Sequence, residues 1–308
     1  MTNYDVVIVG AGLAGLAAAS KLSNHRVLLI EQASTIGGRV HTQMQFGVRY
    51  DLGGVLAPNP SYLPEDLQKI KRKTLSKKMG VLVDGKVVWG VSVVDCLNNA
   101  NLSGEEKKGI RTFFQQLDVN FSQLSSKAGA IIDAFFQFIH PTSIEKYVGE
   151  RKKDALLKMN FDFWEAGNQQ LSNYLNSHSS VEIWTNTKVV KIADQGATVA
   201  VTYSKDGKSQ QVSAKKVIIT TPAPIADKIL STQNSATQQF FGALNYAAGA
   251  CLVVAIDTKK LVEFSLVVGV DTLFSSVLQQ RKREILLRLL FTLPMRNCPI
   301  SVQNRQGI

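Results

Sequence analysis

The sequence predicts an α/β fold, a parallel sheet with helices on both faces, interleaved with a second domain of the α+β class. Three observations lead to this prediction. The chain has 308 residues, which is enough for one large domain or two intertwined domains. Residues 4–9 end in a continuous β-branched run, which is typical of a strand buried on both faces. A glycine-rich turn follows that run, and then a stretch of small residues predicts a closely packed helix.

The composition is that of an ordinary globular chain, with 45% hydrophobic and 19% charged residues. The formal net charge of +11 favours acidic surfaces, but the basic residues are spread along the chain. They lack the aromatic interleaving of a groove that binds single strands, so we expect no nucleic-acid partner. The charge predicts a basic solvated surface, with a polyanion or a membrane surface as the alternative partner.

The cysteines and the apolar runs bear on the cell compartment. Cys96, Cys251 and Cys298 lie far apart and form no CxxC pair, which argues against a metal site and a disulfide framework. The apolar opening at residues 6–19 lacks a preceding basic segment, so we do not interpret it as a signal peptide. No run reaches the roughly 18 apolar residues that a spanning helix needs. We therefore expect a cytoplasmic protein.

A glycine fingerprint, Gly10-Ala11-Gly12-Leu13-Ala14-Gly15, joins the first strand to the helix. In this spacing Gly10 allows a tight turn, and Gly12 lets the backbone approach a pyrophosphate. Gly15 lets the helix pack closely on the strand. All six residues of the fingerprint are therefore candidate cofactor contacts.

A second buried strand at residues 26–30 ends at Glu31. An acidic side chain there can accept both ribose hydroxyls of an adenosine, and Glu31 follows Gly10 by the separation of about 20 residues that a βαβ unit requires. The adjacent Gln32 is a further candidate contact. Strand, glycines, helix, strand and acidic end in this order predict a Rossmann-like dinucleotide-binding domain, for either NAD or FAD.

The next segment, Ile36-Gly37-Gly38-Arg39-Val40-His41-Thr42, makes the chain resemble the flavin amine oxidase superfamily. This superfamily includes monoamine oxidases, protoporphyrinogen oxidases and phytoene desaturases, and a GGRxxT segment follows the acidic strand end in its members. The resemblance implies FAD as the cofactor and disfavours an NAD(P)H-using enzyme. It also implies that Gly37 and Gly38 pass close to the cofactor and that Arg39 lies near its phosphates and flavin.

Three later segments extend the resemblance. Asp51-Leu52-Gly53-Gly54 is similar to a D-x-G-G/A loop that runs beside the isoalloxazine ring, a position that both glycines take by resemblance. Residues 166–171 are similar to the G-x-x-x-L helix start that returns the chain to the FAD domain. Residues 187–192 match a V-x-x-I segment, which implies that Val189 meets the adenine through its backbone.

The resemblance also implies how the chain is divided, because the family's chain crosses between domains more than once. We expect an FAD-binding domain at residues 1–57 and 165–235. The substrate-binding domain would take residues 58–164 and 236–308, with an atypical or truncated C-terminal part.

Hairpin patterns are predicted in both domains. A hairpin at residues 80–89 opens the mainly helical part of the substrate domain. In the FAD domain, alternating strands at residues 197–203 and 210–214 flank the turn Asp206-Gly207. A separate buried strand is predicted at residues 216–221.

The resemblance stops near the end of the chain. Residues 236–308 contain no counterpart of the family's last flavin segment, a Gly-Asp or Gly-Glu loop followed by a small-residue helix. The lysine that holds a water near the flavin in amine oxidases is not found either. We therefore expect a chain that is truncated, or altered in frame, near Gln279, and nearer to the protoporphyrinogen oxidase and desaturase branch. The basic amphipathic stretch at residues 281–290 predicts either a membrane-surface helix or a packed or altered tail.

The function implied by the resemblance is that of an FAD-dependent oxidoreductase. It would move hydride equivalents from a small apolar or amine-like molecule to the flavin, with oxygen or a quinone as the final acceptor. The sequence singles out no catalytic residue. The alternative is a non-catalytic, truncated flavoprotein-like fragment with weak or no FAD binding.

Overall fold

The computed structural model describes residues 3–45, 48–54, 56–57, 59–74, 78–115, 126–139, 162–231, 233–244, 249–257, 266–270, 276–279 and 284–292. The chain forms two units. The first unit consists of Met1–Arg72 and Phe163–Asn245, and the second of Lys73–Asp162 and Tyr246–Ile308. The sequence predicts the three crossings between domains after residues 57, 164 and 235.

The elements of the first half of the chain are β1 (Asn3–Val9), α1 (Leu13–Ser20), β2 (Val27–Ile30), β3 (Val40–Gln45), β4 (Val48–Gly53), a 3-10 turn (Pro60–Tyr62), α2 (Glu65–Gln68), β5 (Arg72–Thr74), β6 (Met79–Val83), β7 (Lys86–Gly90), α3 (Val93–Asn99), α4 (Gly104–Gln115) and α5 (Ser126–Ile139). The elements of the second half are β8 (Asp162–Trp164), α6 (Gln169–Ser177), β9 (Glu182–Trp184), β10 (Thr187–Asp194), β11 (Val199–Lys205), β12 (Lys208–Ile219), α7 (Ala223–Ile229), α8 (Ser235–Ala243), β13 (Gly249–Asp257), β14 (Leu266–Gly269), β15 (Ser276–Gln279) and β16 (Glu284–Thr292).

The first unit is built on a six-stranded sheet with the order β10-β11-β12-β1-β2-β9. β1 pairs in parallel with β2 on one side and with β12 on the other, and β9 continues the parallel part beyond β2. The central position of β1 explains its uninterrupted β-branched sequence, since a strand that is buried on both faces has no solvent-exposed side that favours polar residues. The predicted central strand is therefore confirmed.

Helices cover both faces of this sheet, as the sequence predicts. Ile8 of β1 is fully buried and belongs to the core against which Leu16 of α1 packs. On the opposite face, Val7 is equally buried and lies in a core that includes Ile229 of α7. Each such side chain stabilises the fold by about 1.5–3 kcal/mol relative to an exposed one.

The turn between β11 and β12 confirms the predicted hairpin. Asp206 and Gly207 have φ values of 50° and 73°, as a two-residue turn with left-handed residues requires. The prediction of two separate strands after the turn was wrong, because β12 is continuous. Its first half pairs with β11 and its second half with β1, so a change of partner, without a break in the strand, occurs near Ser213.

The second unit contains another six-stranded sheet, with the order β13-β16-β15-β14-β6-β7. β14 and β6 are parallel, and the other neighbours are antiparallel. β6 and β7 confirm the predicted hairpin at residues 80–89. α5 packs on α3 and β14, and Phe135 and Phe136 of α5 are fully buried. None of the helices in the described part of the chain is long and apolar enough to cross a bilayer.

The end of the described chain differs from one of the two predicted alternatives. A membrane-surface helix at residues 281–290 is wrong for the described part, because β16 is a strand that pairs with both β13 and β15. Short apolar runs fit a strand or a helix equally well in sequence, and here the nine-residue partner β13 provides a complete ladder. Of the predicted packed or altered tail, the structure describes residues 284–292, which pair within the sheet. Residues 281–283 and 293–308 lie outside the described residues.

Candidate cofactor site

The first glycine loop connects β1 to α1 at the carboxyl end of the sheet. Gly10 has a φ of 103°, and its N–H donates to the Ile30 carbonyl over 2.8 Å. A Cβ on Gly15 would lie 1.9 Å from the Gly10 carbonyl oxygen, so the helix packs directly on the turn. Both positions therefore require glycine for local geometry, as the fingerprint predicts.

Gly12 differs from Gly10 and Gly15, the other two glycines of the fingerprint. A Cβ on Gly12 would meet no atom of the described residues within 4 Å, so this part of the fold leaves room for a side chain there. Gly12 is also the N-cap of α1, where it supplies no side-chain hydrogen bond, and the first turn of the helix holds no acidic residue. The N–H groups of Leu13 and Ala14 thus belong to a helix N-terminus that carries partial positive charge and can accept an anion.

Glu31 lies against this loop from the end of β2. Its side chain is 8% exposed, and its Oε2 accepts a hydrogen bond from the Ala11 N–H over 2.8 Å. Its Oε1 accepts from the Ala33 N–H, also over 2.8 Å. Sequence reasoning placed Glu31 correctly at the strand end but did not foresee these two backbone donors. The adjacent Gln32 is exposed.

The second glycine loop contacts the first. The Gly37 N–H donates to the Ala11 carbonyl over 2.8 Å, and Gly12 and Gly37 form a parallel bridge. Gly37 and Gly38 have φ values of 111° and 59°, which favour glycine. A Cβ on Gly38 would lie 3.1 Å from the Gly12 Cα, so the structure brings the two predicted loops together.

The third predicted segment lies directly beside the second. A Cβ on Gly53, which has a φ of 79°, would lie 1.9 Å from the Arg39 carbonyl oxygen. The Gly54 N–H donates to that same oxygen over 2.9 Å. The backbone of Arg39 is thus fixed by the two glycines, while its side chain and Gly54 are exposed.

Val189 lies near the start of β10. It is 8% exposed and pairs with Tyr203, immediately before a bulge at Val190. The start of its strand is fixed to the end of β2, because the Thr187 N–H donates to the Glu31 carbonyl over 2.9 Å. Val189, the predicted adenine contact, therefore lies two residues after Thr187, which is hydrogen-bonded to Glu31, the predicted ribose contact.

Sequence reasoning missed several side chains around the loops. Thr220 places its Oγ1 2.9 Å from the carbonyl oxygens of both Val9 and Gly10. Asp51 and Thr42 bond to each other and to the start of α6, although the sequence assigned roles in their motifs only to Arg39 and the glycines. Their fixed places inside GGRxxT and D-x-G-G were the available signal.

Two buried hydroxyl groups beside the glycine loops have no hydrogen-bond partner within the described residues. The first is Ser172 Oγ, which lies 2.9 Å from a Cβ built on Gly37. The second is Thr221 Oγ1, and the Cγ2 atom of Thr221 lies 3.5 Å from a Cβ built on Gly10. A buried polar group without a partner is costly, so each hydroxyl marks a point where a polar ligand group or a water would lower the free energy.

Two family models match the chain. Residues 8–66 match the NAD(P)-binding Rossmann-like domain, and residues 97–281, more than half of the chain, match the flavin containing amine oxidoreductases. The chain belongs to the flavin-containing amine oxidoreductase family. This membership confirms the superfamily predicted from the motifs, and the family's flavin implies FAD as the cofactor. The roles of the individual site residues and the choice of branch stay predictions.

Curated relatives match shorter stretches. The chain is 44% identical over 63 residues to polyamine oxidase 3 of Oryza sativa subsp. japonica. This match covers 18% of this chain and 13% of that protein. It is 34% identical over 131 residues to an L-amino-acid oxidase of Siganus canaliculatus, which covers 37% of this chain and 24% of that protein. These matches thus span less than a quarter of either relative.

Solved structures match almost the whole chain in fold. A putrescine oxidase bound to putrescine superimposes with a TM-score of 0.72 at 16% identity, covering 94% of this chain and 76% of that one. An oxidoreductase from Methanosarcina mazei gives a TM-score of 0.71 at 18% identity, covering 96% and 80%. At this level of identity the likeness establishes the fold, and it confirms the predicted α/β architecture with a Rossmann-like domain.

Proposed function

We propose that this chain binds FAD in its first unit and functions as an oxidoreductase. In this reaction, hydride equivalents move from a small organic substrate to the flavin. The observation that carries the proposal is the arrangement at Gly12. Open space at this residue coincides with the N-terminus of α1, which has neither a side-chain cap nor an acidic first turn. An open, uncapped helix N-terminus suits the diphosphate of a dinucleotide.

The position of Glu31 supports the same ligand. Its two carboxylate oxygens each accept one backbone N–H. An ionised carboxylate has about four lone-pair sites, so two remain for the ribose hydroxyls. In this proposal Gln32 lies beside the ribose, and the backbone of Val189 meets the adenine.

The flavin end of the proposed site is formed by the two later glycine segments. Gly38, Arg39, Gly53 and Gly54 are exposed along one loop pair whose backbones are held together by contacts at the Arg39 carbonyl. We assign the exposed Arg39 guanidinium to the phosphates and flavin, and the glycines to the isoalloxazine ring. Ser172 Oγ and Thr221 Oγ1 are buried polar groups near these loops that a bound dinucleotide could satisfy, directly or through water.

Bound FAD supplies the electron-accepting chemistry, and the residues described here bind and orient it. We propose a small amine as the substrate, because the similar proteins include a polyamine oxidase and a putrescine oxidase. Oxygen or a quinone is the proposed acceptor. FAD binding is assigned to residues 1–57 and 165–235, substrate binding to residues 58–164 and 236–308, and the location to the cytoplasm.

The test is FAD retention by the purified chain. Apoprotein is mixed with FAD, free cofactor is removed, and the visible flavin band is compared with the protein concentration. The proposal expects near-stoichiometric flavin. It also expects Gly12→Ala to weaken FAD binding at least tenfold, because the new methyl group enters the space assigned to the diphosphate.

Gly242→Ala is the matched control. A Cβ on Gly242 of α8 also meets nothing within 4 Å, but this residue lies outside the proposed site. Its FAD affinity should equal that of the unmodified chain. A chain that retains no flavin would overturn the proposal and would favour the non-catalytic flavoprotein-like alternative.

A further inference from the structure

Three segments of the first unit meet beside the proposed flavin end of the site. They are residues 36–42, residues 51–54 together with Leu56, and residues 167–172, which we call the three-segment junction. The last segment is separated from the first two by more than a hundred residues, and the hydrogen bond from Asn168 to Asp51 spans 117 positions. The junction therefore joins the two separated parts of the unit.

Asp51 lies at the centre of the three-segment junction. Its side chain belongs to a residue that is only 4% exposed, and its Oδ1 accepts hydrogen bonds from Thr42 Oγ1 over 2.5 Å and from the Asn168 N–H over 2.9 Å. Thr42 Oγ1 in turn accepts from the Gln169 N–H over 3.0 Å. A carboxylate thus faces the first amides of α6, where negative charge is favourable.

The side chain of Asn168 completes the connection to the second segment, residues 51–54 together with Leu56. Its Nδ2 donates to the Gly54 carbonyl over 2.8 Å and to the Leu56 carbonyl over 3.1 Å. Asn168 is 4% exposed, so the donor side of both bonds is buried. One residue therefore holds the loop that follows Gly53 while its own N–H is held by Asp51.

Close packing limits the freedom of these segments further. Gly167 has a φ of 86°, and a Cβ on it would lie 2.4 Å from both Thr42 Oγ1 and Thr42 Cγ2. A Cβ on Gly37 would lie 2.9 Å from Ser172 Oγ and 3.0 Å from Gln169 Nε2. The segments thus approach at distances that only glycine allows, and their relative position depends on the polar groups between them.

The inner and outer edges of the junction differ in exposure. Asp51 and Asn168 are buried, whereas Gly38, Arg39 and Gly54 on the same segments are exposed. The buried residues therefore act on a ligand only through the exposed ones.

We propose that Asp51 is a positioning residue for FAD, which holds the exposed edges of the three-segment junction in the shape that receives the flavin. This inference rests on the proposed FAD function. Loss of the carboxylate charge weakens the bonds from Thr42 and from the start of α6 at the same time, since hydrogen bonds to charged groups are the stronger ones. The loops then lose their fixed spacing, although no atom that contacts FAD has been removed.

The test compares FAD affinity in four variants. Asp51→Asn keeps the side-chain shape and removes the charge, and Thr42→Val removes the hydroxyl that links Asp51 to Gln169. Thr42→Ser restores that hydroxyl. Asp5→Asn is the matched control, because Asp5 also accepts a backbone N–H, from Arg26 over 2.9 Å, but it is outside the junction. The dissociation constant is measured by FAD fluorescence, and flavin order by visible circular dichroism.

We expect Asp51→Asn and Thr42→Val to weaken FAD binding about tenfold or more and to shift the flavin spectrum towards that of free FAD. Thr42→Ser and Asp5→Asn should retain the affinity and spectrum of the unmodified chain. Thermal unfolding without FAD separates the two effects, because a structural role alone would lower the melting temperature without changing the bound spectrum.

Unchanged affinity and spectrum in Asp51→Asn would overturn the inference while leaving the proposed function intact. If Asp51→Asn does not fold, the comparison of Thr42→Val with Thr42→Ser decides instead, and equal affinities there would also overturn the inference. An unmodified chain that binds no FAD would overturn the proposed function and this inference with it.

Discussion

A Cβ on Gly15 would lie 1.9 Å from the carbonyl oxygen of Gly10, so the first turn of α1 rests on the backbone of the loop that precedes it. The oxygen belongs to the main chain and cannot move aside as a flexible side chain could. This contact explains the spacing of the glycine fingerprint and leads to the first prediction.

Gly15→Ala should destabilise the protein by about 2 kcal/mol or more, because overpacking against backbone forces the helix away from the sheet. Urea unfolding measures the free energy of unfolding directly. Gly12→Ala is the reference, because its methyl group meets no atom of the described residues within 4 Å. This variant should lose only about 0.5 kcal/mol, the difference between glycine and alanine at a helix N-cap. Equal stabilities of the two variants would contradict the described packing.

Thr220→Val should lower the free energy of unfolding by about 1–2 kcal/mol, because the methyl group that replaces Oγ1 cannot bond to the Gly10 carbonyl. Thr220→Ser retains the hydroxyl and should lie within about 0.5 kcal/mol of the unmodified chain. The same urea titrations compare the two variants. A Val variant as stable as the unmodified chain would contradict the contribution of this hydrogen bond.

The alkaline stability of the protein should depend on Tyr4. Burial, followed by the hydrogen bond to the Glu182 carboxylate over 2.8 Å, raises the pKa of Tyr4 from 10.0 to about 12. The folded state therefore keeps its proton at pH values where the unfolded state loses it. The stabilisation by Tyr4 is complete below pH 10 and is lost as the pH rises towards 12.

The comparison of the unmodified chain with Tyr4→Phe isolates this effect, because all other titrating groups are shared. The difference between their free energies of unfolding should be constant from pH 7 to 9 and should shrink above pH 10. Urea unfolding at a series of pH values measures it. A difference that stays constant through pH 11 would refute the raised pKa.

Cys96 should react slowly with thiol reagents in the native protein. It is fully buried, so reagents cannot reach its Sγ. Burial also raises its pKa to about 12, so little reactive thiolate is present near neutral pH. Brief treatment with iodoacetamide at pH 8, followed by peptide mass spectrometry, should find Cys96 unmodified in the native chain and modified in concentrated urea. Rapid native modification would indicate that α3 opens readily.

The sequence predicted those parts of the site that depend on local spacing. The fingerprint from Gly10 to Gly15 and the position of Glu31 follow from a single βαβ unit, whose order along the chain equals its order in space. The role of Asp51 could not be predicted in this way. Its donor Thr42 lies opposite it on the neighbouring strand of a hairpin, but its donor Asn168 lies 117 positions away, and only the folded structure brings all three together.

Errors in the predicted fold have the same origin. β12 was predicted as two strands, at residues 210–214 and 216–221, yet the backbone continues between them from one partner strand to the next. The helix considered at residues 281–290 failed because pairing with β13 and β15 determines the structure of β16. In both cases hydrogen bonds to non-local strands outweighed the local pattern.

The pairing of β1 with β12 has a consequence for biosynthesis. Val9 pairs with Ile219, so this edge of β1 stays unpaired until more than two hundred further residues have been synthesised. Non-local pairing of this kind slows folding and exposes an unpaired strand edge in the nascent chain. Chaperone binding to the emerging N-terminal segment, and accumulation of aggregates when synthesis is faster than folding, are the cellular outcomes that this topology favours.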